Sequence, residues 1–143
     1  MGKIFYIMGK SASGKDTIYK ELIEKMPKFH SIVPYTTRPM REGEKNGVEY
    51  FFVDQERFDE MMDEEKIIEF RSYNTKCGIW TYFTADDGQV DLSEGNYLGI
   101  GTLESYQKLK QYYGEEHVIP VYIEVEDPSS LRYHTDNILH LPY

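Results

Sequence analysis

At 143 residues the chain is one domain's worth of sequence, long enough to bury a core. Its net charge of −9 and pI near 4.9 argue against nucleic-acid or anionic-membrane binding, since both need a positive field. The single cysteine, Cys77, excludes an internal disulfide or cysteine-based zinc site, and the absence of a signal peptide or membrane-length apolar run makes a cytoplasmic protein the expectation.

In chain order, the apolar run Ile4-Phe5-Tyr6-Ile7-Met8 predicts a buried strand, and Ile18, Leu22, Ile23 and Met26 follow at helical spacing. Between them lies Gly9-Lys10-Ser11-Ala12-Ser13-Gly14-Lys15-Asp16-Thr17. Strand, glycine-bounded loop and helix is the context of a phosphate-binding loop, in which main-chain N–H groups surround phosphate oxygens at a helix N-terminus. Lys15 is placed to run along the outer phosphates. A plain strand-to-helix turn would also use these glycines. The position after Gly14-Lys15, where a Ser or Thr hydroxyl normally holds Mg²⁺, is Asp16. Asp16 is read either as a direct or water-mediated magnesium ligand or as a cap of the helix N-terminus.

Pro27 ends the helix, Ser31-Ile32-Val33 predicts a short strand, and Pro34 to Glu49 an ordered loop or short hairpin edge. Glu49 to Val53 reads as a strand. Asp54 is the expected N-cap of a helix carrying Phe58, Met61 and Met62 into the core. Eight acids against two bases between Asp54 and Glu69 mark a solvated face, whereas Lys10, Lys15, Arg38 and Arg41 gather in the two loops. Strands are expected at Ile67–Arg71 and Gly78–Thr84 around a turn near Asn74, with Cys77 partly buried. A further strand is expected over Asn96–Gly101, with two glycines, Gly99 and Gly101, unusual for a strand interior. A helix with Leu103, Tyr106, Leu109 and Tyr113 along one side and a buried strand over His117–Val125 come next. Asp127 to Leu131 reads as a capped helix start, and Arg132 to Tyr143, with His134 and His140, as a solvated tail. This alternation predicts an α/β fold: a parallel central sheet flanked by helices (1–30 and 95–131) with a mostly antiparallel insert (31–84) and an atypical tail (132–143).

The stretch Val33 to Tyr50 decides the functional reading. Arg38 and Arg41, three apart, with the Tyr50 hydroxyl, form a clamp for a phosphomonoester, because guanidinium forks pair with phosphate oxygens. Surface charge is the alternative for both. Glu69 offers a carboxylate that can accept from N1–H and the N2 amino group of guanine, a pair that adenine lacks; a solvated strand residue is the alternative there.

Thr36-Thr37-Arg38, then Arg41, then Gly43-Glu44 ahead of Gly47 and Glu49-Tyr50, together with the phosphate loop, resembles the guanylate kinase family from about Lys3 to Leu131. The resemblance implies a P-loop NTPase-like fold with a GMP-binding lobe, ATP with Mg²⁺ on Gly9, Ser11, Ala12, Ser13, Gly14, Lys15, Asp16 and Thr17, and phosphoryl transfer to GMP or dGMP without a covalent intermediate. It implies Lys15, Arg38 and Arg41 as the catalytic cations, and Arg38, Arg41, Tyr50, Glu69, Thr81 and Tyr82 as the GMP ligands. Pro34 stands where the family has a guanine-contacting serine, and Gly99 and Gly101 replace expected aspartates. The sequence as read also lacks an arginine-bearing lid helix, which implies impaired turnover. A binding module for a nucleotide or a protein is the competing expectation. Oligomeric state is left open.

Overall fold

The computed structural model describes residues 1–9, 14–127 and 130–135, and from residue 124 onward it describes the main chain. The chain divides into two units, one made of residues 1–32 with those from 91 onward, the other of Val33–Val90.

The first unit is built on a five-stranded sheet. Its strands are β1 (Ile4–Gly9), β2 (His30–Ser31), β7 (Tyr97–Gly101), β8 (Val118–Asp127) and β9 (Ser130–Thr135), in the order β2-β7-β1-β8-β9. All neighbours are parallel except β8 and β9. Strand β1 is central because its apolar residues are buried on both faces. Phe5 and Ile7 pack with Ile18 and Leu22 of helix α1 (Lys15–Lys25), together with Leu98, Ile119, Val121 and Ile123. Tyr6 points the other way, its ring 6.4 Å from that of Tyr106 on helix α3 (Leu103–Tyr113). Helices therefore cover both faces of a mostly parallel sheet. The glycines of β7 now have a cause. A Cβ at Gly99 would lie 2.8 Å from the Tyr6 ring, and one at Gly101 would collide with the Tyr6 hydroxyl and come within 2.7 Å of Ser105 Oγ.

The second unit holds a four-stranded sheet ordered β4-β3-β6-β5, from β3 (Tyr35–Thr36), β4 (Phe51–Phe52), β5 (Ile67–Thr75) and β6 (Gly78–Ala85). The β3–β4 pair is parallel and the β3–β6 and β5–β6 pairs are antiparallel. Helix α2 (Gln55–Asp63) starts at Asp54, whose carboxylate accepts from the Arg57 N–H. It buries Phe58 and Met61 against Phe83 and Ala85.

Several expectations are corrected. Met62 is 37% exposed, because the narrow stripe of this short helix centres on Phe58 and Met61. The β5–β6 turn is not near Asn74: pairing continues to Thr75 opposite Gly78. The turn is Lys76-Cys77, held by the Thr75 hydroxyl, which donates to the Gly78 carbonyl and accepts from Cys77 N. Cys77 is accordingly exposed at a hairpin tip, not partly buried. The helix expected from Asp127 does not form. Residues 130–135 instead pair antiparallel with β8, satisfying the main-chain groups of an edge that a helix would leave open. Arg132 to Thr135 thus belongs to a strand, and the rest of the expected tail, His140 included, lies outside the described residues.

Candidate functional site

In the first unit, Gly9 ends β1 and Gly14 immediately precedes α1 with φ 84°, a left-handed conformation that glycine adopts without a Cβ clash. Ser11, Ala12 and Ser13 lie outside the described residues. Lys15 is the first residue of α1, and its Nζ donates to the Gly9 carbonyl at 3.3 Å. Asp16 and Thr17 follow in the first helical turn, both exposed. The turn that carries Lys15 is therefore also the positive end of the helix dipole.

In the second unit, Arg38 leaves β3 through a turn in which its main-chain N–H donates to Thr36 Oγ1. Its side chain is 4% exposed and lies over the rings of Tyr50 and Phe52, at 5.2 and 5.5 Å. Nη1 donates to Glu44 Oε1 at 2.8 Å and to the Pro39 carbonyl at 3.0 Å, and Nη2 donates to Glu44 Oε2 at 2.7 Å. Glu44 also accepts the Arg41 main-chain N–H at 2.7 Å. These bonds, that from the Arg38 side chain first, hold the Glu44 carboxyl down at about 2. The same pairing raises Arg38 above its ordinary value. Arg41 is exposed.

The Tyr50 ring stands 5.7 Å from that of Tyr82, and Tyr82 is 5.9 Å from Tyr73. The register pairs Glu69 with Thr84, Arg71 with Tyr82 and Tyr73 with Trp80. Directly opposed residues share a face of the sheet, so these six line one side. Glu69 is buried there, with Oε1 accepting from Arg71 Nε at 3.1 Å and Oε2 from the Thr84 hydroxyl at 2.8 Å.

Thr81 lies on the other face of this sheet. Neighbours along a strand point to opposite faces, so Thr81 and Tyr82 cannot serve one pocket. Thr81 is 2% exposed, its hydroxyl lies 2.8 Å from Ser72 Oγ, and its N–H donates to Thr37 Oγ1. Thr84, two residues beyond Tyr82, carries the hydroxyl that reaches Glu69. Sequence reasoning missed Thr84, Arg71 and the tie of Glu44 to Arg38. The i, i+2 rule could have found the first two once the strands were set.

The guanylate kinase family model matches residues 1–84, more than half of the chain and the whole span from the first loop to Thr84. The chain belongs to the guanylate kinase family. Within the guanylate kinase family, a protein of Helicobacter hepaticus is 40% identical over 133 residues, covering 92% of this chain and 64% of that relative. A guanylate kinase of Legionella pneumophila (strain Lens) is 44% identical over 68 residues, 48% of this chain and 32% of the relative. The crystal structure of guanylate kinase from Anaplasma phagocytophilum superposes with a TM-score of 0.65 at 27% identity, over 85% of this chain and 59% of that one. The chain thus spans about a third to just under two thirds of the curated guanylate kinases it matches here. Among the described residues no helix is long and apolar enough to cross a membrane.

Proposed function

We propose that the chain acts in the cytoplasm as an ATP:GMP phosphotransferase, giving ADP and GDP from GMP, or dGDP from dGMP, with residues near 31–84 as the monophosphate lobe of a single domain. The observation that carries this reading is the buried Arg38. Bonded to Glu44 and Pro39 through its two terminal nitrogens, it keeps Nε–H and one Nη2 hydrogen for a phosphate. The Arg41 cation and the hydroxyls of Tyr50 and Tyr82 complete that phosphate site. Glu69 accepts from N1–H and N2 of guanine, and Thr84, rather than Thr81, supplies the hydroxyl beside it. Adenine presents an acceptor at N1 and would oppose the carboxylate.

ATP lies along the loop from Gly9 to Thr17, with Lys15 on its outer phosphates. Asp16 fits a magnesium ion: its exposed carboxylate supplies an oxygen donor in the same turn as Lys15. The described residues hold no cluster of three His, Cys, Asp or Glu ligands, so phosphate and water oxygens would complete the coordination, as is usual for Mg²⁺. Bound there, Mg²⁺ would neutralise charge developing on the transferred group. The acceptor phosphate oxygen attacks the γ-phosphorus in line, and the protein contributes positioning and positive charge. Asp16→Ser is expected to weaken Mg²⁺-dependent nucleotide binding; unchanged or tighter binding removes Asp16 from the metal site.

A GMP titration of the chain and of Arg38→Ala tests the whole reading. Loss of a charge-assisted phosphate contact should weaken binding by about tenfold or more. A coupled ADP-release assay with GMP, dGMP, AMP and UMP then reports turnover and base choice. Phosphorylation of AMP alone would overturn the guanine assignment.

A further inference from the structure

Glu69 has a neighbour whose role the proposed reaction does not explain. Arg71 sits two residues along β5, so alternation returns it to the same face, and its Nε–H reaches Glu69 Oε1 while the Thr84 hydroxyl takes Oε2. A carboxylate held at one oxygen still turns about its terminal torsion, which is broad and shallow. Held at both, it has a fixed plane. Each oxygen accepts about two hydrogen bonds, so both retain capacity for a second donor.

We infer that Arg71 is a positioning residue for purine selectivity: with Thr84 it sets the plane of the Glu69 carboxylate, so that it can meet the paired donors on the guanine edge. This rests on the proposed reading of Glu69. Two features favour it over an incidental surface ion pair. The Glu69 side chain is 2% exposed and that of Arg71 18%, so water screens the pair little. The bond also comes from Nε, which sits on the stem of the guanidinium and is less mobile than its terminal nitrogens. A carboxylate so oriented lines up with the N1–H of guanine, a donor that the N1 of adenine lacks.

The test is calorimetric titration of GMP and AMP into the full chain and its Arg71→Gln, Arg71→Lys and Glu69→Gln variants. Arg71→Gln should reduce GMP affinity by about tenfold while AMP affinity stays within about twofold, so that the GMP:AMP ratio falls. In the Glu69→Gln background the same change should leave the ratio where Glu69→Gln put it, because Arg71 acts through that carboxylate. Arg71→Lys keeps charge and stem but not the Nε–H, and should give an intermediate ratio, at least about threefold below the native chain. If Arg71→Gln does not fold, this variant decides alone. A native GMP:AMP ratio in whichever arginine variant is decisive overturns the inference, as does a fall that persists in the Glu69→Gln background. The two ideas fail differently. A native ratio in Glu69→Gln itself removes the guanine reading, whereas a collapsed ratio there beside a native one in the arginine variants removes only the role of Arg71.

Discussion

A guanidinium has five N–H donors in a rigid plane, and at Arg38 the protein takes the three that would otherwise let it swing. Glu44 makes this possible. It sits in a loop of polar residues, where a carboxylate is ordinarily solvated, yet it accepts from the Arg38 guanidinium at both oxygens and from the Arg41 main chain at one. Its folded-state value of about 2 lies below the ordinary 4.5. The contribution is therefore fully present above pH 4.5 and is lost as the pH falls through about 2. Across that window the urea midpoint of the native chain should fall more steeply than that of Glu44→Gln. The same variant should weaken GMP binding, because Arg38 is no longer held in its phosphate-ready orientation. Arg38 stood out by residue type and spacing, whereas Tyr82 was named only through the family resemblance. The Glu44 tie could not be named from either, because a loop carboxylate has many equivalent partners until the chain is folded.

At the scale of elements, local signals and packing divide the work. The start of α2 is local: Asp54 accepts the Arg57 N–H three residues on, and Asp54→Ala should lower unfolding free energy by about 1 kcal/mol in urea titration. The glycines of β7 are not local. They exist because Tyr6 on the adjacent β1 fills the space beside them, with its hydroxyl donating to Ser105 Oγ at 2.8 Å. Gly101→Ala should destabilise by about 1–3 kcal/mol through overpacking. Adding Tyr6→Phe should recover part of that loss, since the deleted hydroxyl is the first atom met, and a double-mutant cycle in urea measures the coupling. Strand β9 shows the opposite failure of local reasoning. Residues from Asp127 to Leu131 carry the signals of a helix start, but the open edge of β8 offers main-chain partners that a local pattern cannot anticipate.

For the molecule as a whole, the two sets of proposed ligand residues lie in different units, Gly9 to Thr17 in the first and Arg38 to Thr84 in the second. Binding of each nucleotide should therefore be separable by mutation. Lys15→Ala is expected to weaken ATP binding by about tenfold or more while GMP affinity stays within about twofold, and Arg38→Ala to do the reverse. Isothermal titration of each nucleotide into each variant measures this directly. Equal loss of both ligands in either variant would mean that the substitution disturbs folding rather than a contact.

Spacing along the chain was enough to place a strand ending at Gly9 and a helix after Gly14, to single out Arg38 and Tyr50, and to give the alternation of strands and helices that makes an α/β fold. Each is a short-range pattern, written in residues close together in sequence. Tertiary structure alone decided that Thr84 and not Thr81 faces Glu69, that Arg71 holds that carboxylate, and why β7 carries two glycines. All three depend on which strands pair and in what register, and pairing is fixed by main-chain hydrogen bonds and packing between residues far apart in the chain.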